Sequence, residues 1–229
     1  MKKKTALVTI AHPDDEAFGP SGLIARISPS YDVHVICVTD GGSDSRFHAL
    51  GRSLVPLRKE ELIASAHVLG VKQVHFLSYQ DGSLCNNLYH DIAAKILRIA
   101  KRISPECIIT NELRGVSGHL DHVAVAAVSS YVYRELESIS AIIYNVARKE
   151  VSDAMREYFV FFPEGYDKKD VDLVVDISSV FETKLQAAAC HATQKTDVER
   201  VTKRWKTLPK EEWYLVTKRR KSDLIASLS

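Results

Sequence analysis

Two short segments of this 229-residue chain concentrate groups that can hold a metal and move protons: AHPDDE at residues 11–16 and HLDH at residues 119–122. A catalytic zinc takes three protein ligands from imidazole and carboxylate and leaves one position open to water. His12 and Asp15 from the first segment, with an imidazole from the second, make such a set. Pro13 fixes its own φ and holds His12 in extended geometry, so the loop presents its ligands at little entropic cost. Asp14 is then left off the metal, where its carboxylate can accept a proton from a water whose pKa zinc lowers to about 7. His119 and His122, three residues apart, share a face if both lie in the first turn of a helix. One of them suffices as a ligand; the other can stabilise an oxyanion or protonate a leaving group. Asp121 can orient an imidazole from behind. Alone, each segment also reads as the start of a helix, because Asp is a good cap and first-turn carboxylates suit the dipole. Their placement at the ends of two strands is what points to a metal site.

Those strands are legible as short, nearly continuous apolar runs rich in β-branched residues: 5–10, 33–39, 74–78, 107–110, 141–147 and 171–177. Runs of this kind suit a sheet covered on both faces. Helical patterns fill the intervals at 56–70, 88–104 and 121–139, the first opening on Pro56 and closing on Gly70. The alternation predicts an α/β fold of Rossmann-like type, a mostly parallel sheet with helices on both faces, joined by right-handed crossovers. Ligands of such sheets bind beyond the carboxyl ends of the strands. AHPDDE, TDGGSDSR (39–46), YQDGS (79–83) and NELRGVSGHLDH (111–122) all fall there, after strands one to four. Asp40, Asp44 and Arg46 are as well explained by a solvated Gly-rich turn as by ligand contact.

Composition narrows the function classes. A 45% hydrophobic, 26% charged chain of net charge +2 has no global field that draws it to nucleic acid or to a membrane surface. MKKKTALVTIA mimics a secretory signal, but His12 and the carboxylates cut its apolar stretch short. No run approaches the roughly 20 apolar residues of a membrane helix, so a cytoplasmic protein is expected. The four cysteines are scattered and suggest neither a thiolate site nor a disulfide framework. Residues 1–229 read as one domain, in which 195–229, with ten Lys/Arg against five Asp/Glu, form a basic C-terminal extension of helical or mixed structure. Lys218-Arg219-Arg220-Lys221 reads as a solvated face, and His191 and Gln194 as structural residues or cleft lining.

AHPDDE and HLDH together resemble the hallmarks of the LmbE-like and PIG-L-like zinc-dependent N-deacetylases. The resemblance extends to Arg58, Glu60 and Glu61 in LRKEELIASAHVLG, to Asp81-Gly82, to the segment 171–194 ending in HATQ, and to EEWYLV at 211–216. It implies removal of an N-acetyl group from an amino sugar or N-acetylglucosamine-type conjugate, a small-molecule partner, with Zn2+ as cofactor and Fe2+ as an alternative. Carried over, it makes His12, Asp15 and His122 the metal ligands, Asp14 the general base, His119 a protonated group near the oxyanion, and Asp121 the neighbour that tunes His119. Arg58 and Asp81 become substrate contacts. Ser117 stands where some relatives have an oxyanion-holding tyrosine, and Leu120 where proline is frequent. A non-catalytic sugar-binding protein of the same fold, or a hydrolase of another amide, is the competing reading; a homo-oligomer is left open. Arg58 or Arg114 would suit an anionic aglycone, and neutral sugars fit the sequence equally well.

Overall fold

A computed structural model describes residues 3–43, 53–157 and 159–228. Along the chain lie β1 (Lys4–Ile10), α1 (Asp15–Phe18), α2 (Ser21–Ile27), β2 (Tyr31–Thr39), α3 (Val55–Val68), β3 (Gln73–Tyr79), α4 (Tyr89–Ile103), β4 (Cys107–Asn111) and α5 (Leu120–Glu135). After them come β5 (Ala141–Asn145), α6 (Lys149–Ala154), β6 (Leu173–Asp176), α7 (Phe181–Ala189), α8 (Lys195–Trp205), β7 (Glu211–Lys218) and α9 (Asp223–Leu228). Asp44 and Arg46 lie outside the described residues.

The strands form one sheet in the order β3-β2-β1-β4-β5-β7-β6. β1 to β5 are parallel, and β7 runs antiparallel to both its neighbours. The fold class is thus the expected one, a mostly parallel α/β sheet. Two buried clusters show why the strands read as unbroken apolar runs. Leu23, Leu62, Leu69 and Ala187, from α2, α3 and α7 or their ends, pack with Val8, Val35 and Ile109 on one face. Ile92, Ile96, Val125 and Val132 of α4 and α5 pack with Leu7, Ile36 and Ile108 on the other. Alternate strand residues are therefore apolar for two different cores. Strand order reverses between β1 and β4, and the crevice at their carboxyl ends is where a ligand can enter between diverging connections.

The segment expected as a basic extension supplies an interior strand. β7 separates β5 from β6, with Trp213 and Tyr214 buried. Just before them Glu212, also buried, accepts hydrogen bonds from the Gly22 and Leu23 amides (both 2.8 Å), from Lys184 Nζ (2.7 Å) and from Tyr214 Oη (2.6 Å). Those two amides are orphan donors of the first turn of α2, whose Ncap position, Pro20, has no side-chain cap. A carboxylate nearly two hundred residues downstream therefore caps the helix. The basic run at 218–221 is likewise not simply solvated. Arg219 donates to the Tyr133 carbonyl (2.6 Å) and Arg220 to that of Glu137 (2.8 Å), so cations meet the carbonyl end of α5 and the turn after it.

Candidate active site

β1 ends at Ile10, and the next residues fold back on themselves through the Asp15 carboxylate. Its Oδ2 accepts the backbone amides of Ala11 (3.0 Å) and His12 (2.9 Å), which leaves Oδ1 turned to His122 Nε2 at 3.2 Å. From β4 the chain runs through a loop to His119, the Ncap residue of α5, whose Nδ1 accepts the Asp121 amide (3.1 Å). His122, one turn in, lies 3.0 Å from the Gly115 carbonyl through Nδ1. That contact requires Nδ1–H, so in the neutral ring Nε2 carries a lone pair.

His12 is fixed in the complementary sense. Its Nε2 lies 3.1 Å from Asp81 Oδ1 and 3.3 Å from Asp121 Oδ2, and donates to these carboxylates. Nδ1 is left facing His122 Nε2 at 3.1 Å and Asp15 Oδ2 at 3.7 Å. With both rings neutral, two imidazole lone pairs and a carboxylate thus converge from two loops with no donor among them. Separations of this size match the edges of a tetrahedron about a zinc with bonds of about 2.0–2.1 Å. Burial opposes a charge on His12, but its hydrogen bonds to Asp121 and Asp81 and the charges of Asp15 and Asp81 outweigh it and push the imidazole up to about 10. The cluster therefore demands a positive charge, and a divalent cation supplies it without a proton. His12, Asp15 and His122 accordingly fit a metal, and their chemistry accepts zinc or ferrous iron. A second grouping, His12, Asp81, His119 and Asp121, is equally compact. Its atoms are already paired, however. Asp121 accepts the Gly82 (2.7 Å) and Leu84 (3.0 Å) amides, Asp81 the Ser43 amide (3.2 Å), and His12 presents a protonated nitrogen there.

Several expectations change at this point. The Asp121 carboxylate hydrogen-bonds His12 and not His119, on which it acts through its charge alone. Asp81, expected to touch substrate, also lies behind His12, although it lines the cavity. Arg58 is buried and committed to the protein, donating to Asp14 Oδ2 (2.7 Å), the Pro13 carbonyl (2.9 Å) and the Gly41 carbonyl (3.1 Å). It holds Asp14 and its loop. The expected protonated His119 is opposed by its own cap: Nδ1 already accepts a backbone N–H, and burial with the His12 and His122 charges holds the ring below its ordinary value. Its neutral form carries the proton on Nε2. Burial pushes the Asp14 carboxyl up, Arg58 draws it back, and the Asp15 charge adds to the rise. Asp40 is structural, with Oδ1 accepting the Gly42 and Asp81 amides (3.0 and 3.2 Å).

His12, Asp14, Asp15, Arg58, Asp81, His119 and His122 open into one cavity of about 390 Å³, also lined by Ser117 and Gln194 and by Asp197, Arg200, Val201, Arg204 and Trp205 of α8. The contribution of α8 was missed from sequence. Its signal was present as spacing, since 197, 200, 201, 204 and 205 follow the i, i+3, i+4, i+7, i+8 rule of one helix face. Gln194 is carried into the wall by Thr193, whose amide and hydroxyl donate to Glu61 (2.7 and 2.6 Å). His191 is wholly buried, 2.7 Å from Glu16 Oε1, which also accepts from Ser65 (2.6 Å). That pair ties α1 to the end of α7 beneath the cavity.

Known proteins share both fold and sequence. A solved structure of the 4-carboxy-2-hydroxymuconate hydratase GalB from Pseudomonas putida superposes with a TM-score of 0.72, covering 96% of this chain and 98% of that one at 19% identity, a likeness of fold. The chain is 28% identical over 195 residues to the diacetylchitobiose deacetylase of Thermococcus kodakarensis, covering 83% of this chain and 70% of that protein. It is 29% identical over 159 residues to a probable N-acetylglucosaminyl-phosphatidylinositol de-N-acetylase of Schizosaccharomyces pombe, covering 65% of this chain and only 61% of the yeast protein's length. The sequence pattern of PIG-L, described as GlcNAc-PI de-N-acetylase, matches residues 7–133. That stretch is more than half of the chain and contains both loops of the converging lone pairs, and the chain belongs to the PIG-L family.

Proposed function

We propose that the protein is a metal-dependent amidohydrolase that removes the N-acetyl group from an N-acetylglucosamine-type sugar or conjugate. The observation that carries this reading is the convergence of His12 Nδ1, Asp15 Oδ1 and His122 Nε2, flanked by Asp14 and His119 in one cavity. A zinc or ferrous ion held there supplies a Lewis acid that polarises the amide carbonyl and acidifies a water. Asp14, held by Arg58 and by its place next to Asp15, accepts the proton of the attacking water and returns it to the departing amine. Burial favours this exchange by raising its carboxyl above the ordinary value. His119 donates from Nε2–H to the developing oxyanion as a neutral ring, because its Nδ1 is occupied by the Asp121 amide. Asp121 and Asp81 fix the His12 ring so that Nδ1, not Nε2, faces the metal position.

The test is acetate release from N-acetylated sugars by the zinc-loaded protein and its Asp14→Asn variant. Asn keeps the shape but cannot take a proton, so kcat falls by about 10²–10⁴ while bound zinc, measured by elemental analysis, stays at the wild-type level. Undiminished acetate release by the variant removes Asp14 as the base; no release by the wild type from any such sugar removes the deacetylase reading.

A further inference from the structure

The cavity has two chemically distinct ends. Around the metal position it is polar, but the outer wall is formed by Val151, Met155, Phe159, Phe162, Val201 and Trp205. The segment carrying the two phenylalanines is packed on the catalytic loop. Phe159 meets the His119 ring edge-on, with centroids 5.6 Å apart, and a Cβ at Gly118 would lie only 2.3 Å from the Phe161 carbonyl oxygen. While Phe159 and Phe162 face the cavity, the intervening Val160 is fully exposed and Phe161 is 68% exposed. Leu120, beside His119, is 74% exposed. Apolar surface therefore continues from the wall onto the adjoining protein surface, and solvent-facing apolar residues clustered around a binding cleft mark a ligand-contacting surface.

The arginines of the same wall, and Arg114 ahead of the His119 loop, already have protein partners. Arg200 pairs with Asp197, Arg204 donates to the Glu150 carbonyl (3.2 Å), and Arg58 is spent on Asp14, Pro13 and Gly41. Arg114 pairs with Glu112 at 3.3 Å and stacks on Tyr166. Recognition of a phosphate or carboxylate on the aglycone calls for a cation aimed at it. Among the described residues that line the cavity, every arginine is directed at a protein partner.

We propose that the cleft takes N-acetylglucosaminides whose aglycone is apolar, an alkyl or aryl group that lies against the Val151–Trp205 wall and leaves the cavity over Phe161 and Leu120. This rests on the deacetylase reading for the orientation of the sugar. The substrate is then amphiphilic: the acetamido group enters the polar end, and the aglycone displaces water from the aromatic end. A soluble glycoside and a membrane glycolipid share this chemistry, and the wall recognises the apolar chain in either.

Calorimetric titration of the zinc-loaded protein separates the alternatives. The ligands are octyl N-acetylglucosaminide below its micelle concentration, free N-acetylglucosamine and N-acetylglucosamine 1-phosphate. The octyl glycoside is expected to bind at least about tenfold more tightly than the free sugar, the return on burying about two methylene groups, with the 1-phosphate gaining nothing. In Phe162→Ser the octyl advantage shrinks; if that variant does not fold, the wild-type ligand series still decides. Equal affinity for octyl glycoside and free sugar, or tighter binding of the 1-phosphate, overturns the proposal. Cosedimentation with plain phosphatidylcholine vesicles, without preference among the soluble ligands, reassigns the apolar surface to a membrane contact and also overturns it. Acetate release is followed in parallel: its absence with all three sugars rejects the deacetylase reading, whereas the binding series judges the aglycone by itself.

Discussion

Two buried carboxylate centres of this protein have opposite hydrogen-bond economies. Around Glu212 donors surround acceptors: two helix amides, an ammonium and a phenol converge on two oxygens. Around Asp15 acceptors face acceptors: two imidazole nitrogens 3.1 Å apart meet the carboxylate, Oδ1 at 3.2 Å from His122 Nε2 and Oδ2 at 3.7 Å from His12 Nδ1. The first arrangement is complete as folded and stabilises the chain. The second lacks a donor until His12 takes a second proton or a cation enters, so the fold bears its cost and a ligand relieves it. Satisfaction, more than burial or charge, separates a structural carboxylate from a functional one here.

Breaking the complete centre should have the largest effect on stability. Glu212→Ala strands the buried Lys184 ammonium and two helix amides, and urea unfolding should register a loss of about 3–5 kcal/mol. A loss under 1 kcal/mol would erase the contrast. Asp81→Asn keeps the shape behind His12 but removes a charge that orients it. Zinc affinity measured by competition with a chelator should fall about 10- to 100-fold; unchanged affinity would return Asp81 to the substrate side.

The contrast can be sharpened with a third carboxylate at the opposite end of the sheet. Glu106 accepts from Ser222 Oγ (2.8 Å), the Leu224 amide (3.3 Å) and Tyr31 Oη (3.0 Å), a donor-rich setting like that of Glu212. Burial works against its charge, but these donors and Lys4 hold the carboxyl below its ordinary 4.5. A depressed carboxyl stabilises fully above that ordinary value, and the contribution fades as pH falls through the lower folded value. Glu106→Gln should therefore cost about 1–2 kcal/mol at neutral pH, with the gap to wild type closing in unfolding curves taken below pH 4.5. A gap that persists in acid would mean that packing, not charge, is at stake. The smallest effect is expected at the metal ligand itself. In chelator-treated protein His122→Ala should cost about 1 kcal/mol or less, because the imidazole removed gives up its bond to the Gly115 carbonyl but also relieves the opposed acceptors. A large destabilisation would show that the site is satisfied without metal.

The sequence carried the parallel part of the fold because each of β1 to β5 is apolar for two cores at once. β7 escaped the same reading for a physical reason. Glu212 occupies a core position in it, and a carboxylate in the interior erases the apolar signature that Trp213 and Tyr214 would otherwise complete. The proposed ligand set was half legible. His12 and Asp15 follow from their own loop, but the choice between His119 and His122 depends on which imidazole the helix start consumes as a cap, a matter of backbone geometry. Arg58 and Asp81 were legible as site residues and not as to role, since neither Asp14 Oδ2 nor His12 Nε2 is adjacent to them in sequence.

The position of β7 also has a consequence for synthesis. A ribosome delivers the chain from its N-terminus, and domains begin to fold as they emerge. β5 and β6 are both made before the strand that joins them, so until residues 211–218 appear each presents a bare edge. The helix start at Gly22 waits as long for its Glu212 cap. A cut ahead of Glu211 is thus no trimming of a tail: it freezes the nascent protein at its stickiest stage, and such fragments should collect in inclusion bodies even though they retain every metal ligand.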